Sequence, residues 1–156
     1  MAGLSEYEGL IDMAITNLKR DKRLAPVVFL INEKTKPKSV SVVTIAGMTN
    51  DEQKDKIVEM IKTKIEETKS TAVLCIIEGW YLDGFNVKPD IGGNFMKPSN
   101  HPQRKECISV SYVNSQKKKD GRLIPFTRVN GKIVFLEEDK DMTGFSFGGR
   151  FTEWFD

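Results

Sequence analysis

Four side chains in this sequence have the types and spacing to do acid–base or anion-binding chemistry. Three fall in one short segment, Pro98-Ser99-Asn100-His101-Pro102-Gln103-Arg104-Lys105-Glu106. His101 is the only imidazole in the chain, and so the only side chain whose ordinary pKa lies near neutrality. Arg104 carries a planar fork that can grip a carboxylate or phosphate through two parallel bonds. Glu106 opens an alternating run, where it shares a face with Ile108, Val110 and Tyr112. The fourth is Glu78, near the end of the longest apolar stretch, TAVLCIIEGWYL at 71–82. A carboxylate in a covered strand loses hydration and must be paired, protonated or released to solvent. If 71–82 and 106–113 are antiparallel neighbours, Glu78 and Trp80 lie beside Glu106, with His101 and Arg104 in the connection above them. Glu78, His101 and Glu106 would then share proton transfer, while Trp80 and Arg104 hold a small anionic ligand. That arrangement fits a hydrolase. A purely structural account stands beside it. Arg104 pairs with Glu106 or Glu78 to pin the loop, His101-Pro102 is a turn, and Glu78 marks the point where the strand meets water.

The elements that must position these groups follow from apolar spacing. Residues 72–77 are apolar without a gap and rich in β-branched side chains, as in a strand covered on both faces. Alternation puts Leu74, Ile76, Glu78 and Trp80 on one face, with Val73, Cys75, Ile77 and Tyr81 on the other. Upstream, Ser5 and Glu8 have capping-box spacing, and Tyr7, Leu10, Ile11, Ala14, Ile15 and Leu18 make a helical stripe. Residues 27–31 and 39–45 read as a hairpin around the polar turn 32–38. Thr49 and Glu52 offer a second capping box, followed by Ile57, Met60, Ile61 and Ile65 on a second amphipathic helix. Asn130-Gly131 is the strongest hairpin signal, pairing Arg128 with Ile133 and Phe126 with Phe135. Asp120-Gly121 suggests another turn.

Two segments stand apart. Residues 83–105 contain three prolines and three glycines, yet also Phe85, Val87, Ile91, Phe95 and Met96. A connection of that length is usually functional or disordered, and scattered apolar anchors favour one that docks on a cleft or partner. The final residues, 142–156, carry Phe145, Phe147, Phe151, Trp154 and Phe155 among glycines. Such a tail either packs on its own domain or forms an interface with a partner or a second copy.

Composition sets the outer bounds. A chain of 156 residues supports one domain with a proper core. The net charge of +2 offers no strong pull toward nucleic acid or acidic membrane, so a nucleic-acid partner is disfavoured. The N-terminal segment lacks the basic-then-apolar pattern of a leader, and no run is long enough for a membrane helix. Two cysteines in strands read as packed thiols, which together point to a cytoplasmic protein. Neither a zinc motif nor a P-loop, dinucleotide fingerprint or nucleophile elbow appears, so no metal or cofactor is expected; Gly92-Gly93 alone is a weak phosphate signal.

The expected order is α-β-β-α-β-loop-β-β-β: an α+β domain with a mainly antiparallel sheet of about six strands and two helices on one face. This order resembles profilin-like and roadblock-like folds. The segment Pro98-Ser99-Asn100-His101-Pro102-Gln103-Arg104-Lys105-Glu106 resembles a P-S-x-H-P-x-R-x-E stretch of small prokaryotic and phage proteins, and the likeness extends loosely over the preceding helix and strand. It implies no activity. The reading that follows is a small binding or interaction protein that uses the 83–105 loop and the aromatic tail, with a protein or a second copy as partner. A Glu/His/Arg hydrolase is the alternative.

Overall fold

The computed structural model describes residues 4–45, 50–81, 105–135, 140–141 and 154–155. A single 3-10 turn, Leu4–Tyr7, leads into helix α1, Glu8–Asp21. Strands β1 (Val27–Asn32) and β2 (Ser39–Thr44) form the first hairpin, and helix α2 spans Asp51–Thr68. Then come β3 (Ala72–Tyr81), β4 (Lys105–Asn114), β5 (Lys119–Val129), β6 (Lys132–Phe135) and the short β7 (Lys140–Asp141). Six strands follow the path β2-β1-β3-β4-β5-β6, all pairings are antiparallel, and β7 joins the far side of β5. The α+β class and the antiparallel sheet of six strands are those the sequence predicts, and the sheet is curled.

The strand with no apolar gap is central, and its two faces feed two cores. Ala72, Leu74 and Ile76 pack with Phe29 and Ile31 of β1, with Ile108, Val110 and Tyr112 of β4, and with Ile11, Ala14 and Leu18 of α1. Val73 and Cys75 pack with Val28 and Leu30 of β1 and with Val58, Ile61 and Ile65 of α2. The helices therefore lie on opposite faces of the sheet, not on one. A strand apolar on both faces must be covered on both, and one helix supplies each cover. The core over α1 runs on across β5 and β6 through Ile124, Phe126 and Ile133.

Several local details depart from expectation. The box at Ser5 does not form: the 3-10 turn occupies that position, and α1 begins after Tyr7 without a side-chain cap. In α2 the cap is Asn50, whose Oδ1 accepts from Gln53 N at 2.8 Å, one residue later than Thr49. Val58 takes the buried place assigned to Met60, which is 43% exposed. Asp120-Gly121 lies inside β5; the turn before it is held by Asn114, whose Oδ1 accepts from Gln116 N and Lys118 N, both at 3.0 Å. The Asn130-Gly131 hairpin forms with the expected partners, both central residues at positive φ (51° and 77°). Trp154 is 4% exposed and belongs to the core over α2, with Phe155 packed against it. Both aromatics pack on their own domain; Phe145, Phe147 and Phe151 lie outside the described residues.

Truncating Leu74, fully buried under α1, is expected to cost about 2–5 kcal/mol through lost contacts and a residual cavity. Met60→Ala, on the exposed flank of α2, should change stability by less than about 0.5 kcal/mol. Urea unfolding of both variants checks the assignment of the two helix faces.

Candidate functional site

Strands β3 and β4 are neighbours, with Glu78 opposite Ile108 and Trp80 opposite Glu106. Glu78 and Glu106 consequently stand on the α1 face at one rim of the sheet. Among the described residues the cation between them is Arg128, from β5. Arg128 Nε donates to Glu106 Oε2 at 3.1 Å, and its Nη2 lies 3.9 Å from Glu78 Oε2. Its Nη1 donates to the carbonyl of Lys22 at 2.7 Å. Lys22 caps α1 in the left-handed conformation (φ 66°), so the guanidinium sits where the last helical carbonyls gather negative potential. Glu78 completes the circuit by accepting from Leu24 N at 2.8 Å.

Chemically this is a latch. Two carboxylates, one guanidinium and two backbone groups tie the end of α1 to the sheet rim, and each charged group already has a partner. His101 and Arg104 lie outside the described residues, and Trp80 is described in its backbone alone. Arg128 interrupts an otherwise apolar face of the hairpin, and that interruption was its signal in the sequence. A lone charge on a buried face needs an opposite charge in the same register.

A second polar cluster, at the opposite end of β3, escapes sequence reading altogether. Glu33 follows β1 and accepts from two tyrosines, Tyr7 Oη at 2.6 Å and Tyr112 Oη at 3.0 Å. The rings lie 5.9 Å apart and nearly parallel. Lys38 reaches within 4.0 Å of Glu33, pairs with Glu6, and lies 5.3 Å over the Tyr7 ring. A polar recess of about 340 Å³ opens beside it, lined by Glu33, Lys38, Thr71, Asn114 and Gln116 among others. The clue was indirect: Tyr7 and Tyr112 both fall on buried faces, and a buried phenol needs an acceptor. Burial first, then the bonds to Glu33, raise both phenols above their ordinary value of 10.0. Burial alone pushes the thiols of Cys75 and Cys107 from 9.0 up to about 12.

The third feature is apolar. A groove of about 310 Å³ runs between α1 and the β1–β2 edge, lined by Leu10, Met13, Leu24, Val27, Phe29 and Val42 among others. Register places Val42 beside Phe29 and Val40 beside Ile31, on the α1 face, but α1 does not reach that far. Met13 is 57% exposed, Val42 59% and Val40 43%. Among the described residues β2 has β1 as its one strand neighbour and forms the edge of the sheet.

No protein-family model, curated protein or solved structure matches this chain. The resemblance to profilin-like and roadblock-like folds therefore carries no argument about function.

Arg128→Ala is expected to cost about 1 kcal/mol, the sum of charge-assisted bonds discounted for a partly exposed site. Arg128→Lys should recover little of that, because an ammonium cannot engage both carboxylates and the Lys22 carbonyl in one fork. Urea unfolding of the two variants decides between a latch and an idle surface charge. A second expectation concerns pH. The folded chain keeps protons on Cys75, Cys107, Tyr7 and Tyr112 that the unfolded chain surrenders from about pH 9 upward. The unfolded state then binds fewer protons, so stability falls as pH rises beyond that point. Urea midpoints should hold steady between pH 7 and 8 and drop by pH 10, with Tyr7→Phe reducing the slope.

Proposed function

We propose that this protein acts by binding, and that it receives a polypeptide in extended form along β2 and the adjoining groove. One observation carries the reading: an edge strand with exposed valines on one face and an apolar groove alongside. Proteins protect sheet edges with lysines, prolines, bulges or very short strands, because bare N–H and C=O groups invite pairing. The opposite edge fits that rule, since β6 has four residues and begins with Lys132. By contrast β2, Ser-Val-Ser-Val-Val-Thr, has six residues, none of them charged and none proline. An incoming strand would gain main-chain bonds from β2 and seat alternate side chains against Val40, Val42 and Met13.

The rim residues lend less support to the hydrolase reading. Glu78 and Glu106 are engaged with Arg128 and backbone, a geometry that ties the end of α1 to the sheet. Arg128, engaged in the same way, gives a small anion little to bind. A cytoplasmic setting fits the binding reading, with Cys75 and Cys107 retained as free, buried thiols. No helix among the described residues is long and apolar enough to cross a membrane.

The test is selection of random twelve-residue peptides on the protein at low surface density. Selected peptides are expected to shift the amide resonances of Val40, Val42 and Thr44, to lose binding at least 10-fold on Val42→Lys, and to keep it on Val134→Lys. Peptides that ignore Val42, or a selection that yields none, would refute the docking surface.

A further inference from the structure

We infer that the strand received by β2 is β2 of a second copy of this chain, paired antiparallel about a two-fold axis at Val42. This rests on the docking surface proposed above and names its occupant. The phase of the edge comes from the inner ladder. Ile45 N donates to Pro26 O at 3.0 Å, so the residues of β2 in the same phase, Ser39, Ser41 and Val43, turn their main-chain groups toward β1. Val40, Val42 and Thr44 turn theirs outward.

An antiparallel copy centred on Val42 sets Val42 against Val42 and Val40 against Thr44 on each side of the axis. Every outward N–H and C=O of the strand then meets one from the other copy. Shifting the axis by a residue or more leaves some of these groups without a partner strand. The side chains agree with the backbone. Val40, Val42 and Thr44 share the α1 face, so pairing brings the two exposed valines together and joins the two apolar grooves, with Met13 of each copy alongside. Among the described residues, two of the six exposed large hydrophobics, Val40 and Val42, lie on the paired strand itself.

Charge selects the second copy over an arbitrary strand. Because β2 has no charged side chain, it can face itself without repulsion. Before it comes a turn with Lys34 and Lys36, and with Lys38 paired to Glu6; after it, α2 opens with Asp51 and with Glu52 paired to Lys56. Antiparallel pairing runs the basic turn of each copy toward the acidic helix start of the other. A parallel arrangement would set like charges side by side. A six-residue strand pair with flanking grooves falls below the ~800 Å² per partner of a standard interface, so the dimer should dissociate on dilution.

Sedimentation equilibrium of the full chain over a wide concentration range is the test, with cross-linking as a second readout. The expected result is a reversible monomer–dimer equilibrium. Val42→Lys, which opposes two ammonium groups at the axis, should weaken it at least 10-fold, and Val134→Lys at the other edge should leave it unchanged. Val42→Cys should form a disulfide-linked dimer under mild oxidation, since opposed residues of a bonded pair have Cα atoms about 5.5 Å apart, within disulfide range. Cys75 and Cys107, buried, should not compete. A chain that stays monomeric at the highest concentration, or a dimer indifferent to Val42→Lys with Val42→Cys unlinked, overturns the inference. If such a monomer still takes selected peptides at β2, only the identity of the occupant has failed. If it takes none, the docking surface has failed with it.

Discussion

Everything in this fold depends on β3 being buried from both sides. Its side chains alternate between two separate cores, one closed by α1 and the other by α2. A slip of one residue would exchange every member of each core for its opposite, so the register of β3 against β1 and β4 is strongly determined. That register puts Glu78 and Glu106 on the same face at the same end. It also puts Tyr112 above the residue that follows β1, within reach of Glu33. Both polar clusters are thus consequences of one packing constraint, read at the two ends of one strand.

The clusters divide the task of holding α1. At its start, Tyr7 is bonded to Glu33, and Glu8 pairs with Arg122 of β5 at 2.9 Å. At its end, Arg128 holds the Lys22 carbonyl while Glu78 holds the Leu24 amide. The helix itself covers the middle of the sheet with Ile11 and Leu18, both fully buried. Its reach stops short of β2. The exposed valines of that strand follow from the width of one helix against a sheet of six strands.

Much of the architecture was legible in the residues. The gapless run at 72–77, the stripe through Ile11, Ala14 and Leu18, and the Asn130-Gly131 turn each encode one structure locally. The rim carboxylates were also legible, because alternation and strand adjacency suffice to bring Glu78 and Glu106 together. Their cation was not. Arg128 is 22 residues from Glu106 along the chain and close only across the sheet, where cross-strand register brings it. The side of the sheet each helix takes was hidden for a similar reason. An apolar stripe tells that a helix has a buried face without telling which face of the sheet it meets. Glu33 was hidden more deeply, since a glutamate in a polar turn carries no local sign that two phenols from distant segments converge on it. Trp154 shows the limit of composition: an aromatic tail reads alike whether it fills its own core or meets a stranger.

The clasp between the two ends of the chain also orders events at the ribosome. The bonds that seat α1 join residues 114 apart between Glu8 and Arg122, 106 apart between Lys22 and Arg128, and 116 apart between Leu4 and Asp120. The first helix leaves the exit tunnel with its apolar stripe exposed, finds part of its cover on β1 and β3, and is clasped only once β4 and β5 have been synthesised. Until then β1 and β3 offer α1 only part of its final cover. The clasp that fixes both ends of α1 is therefore among the last contacts the nascent chain can make.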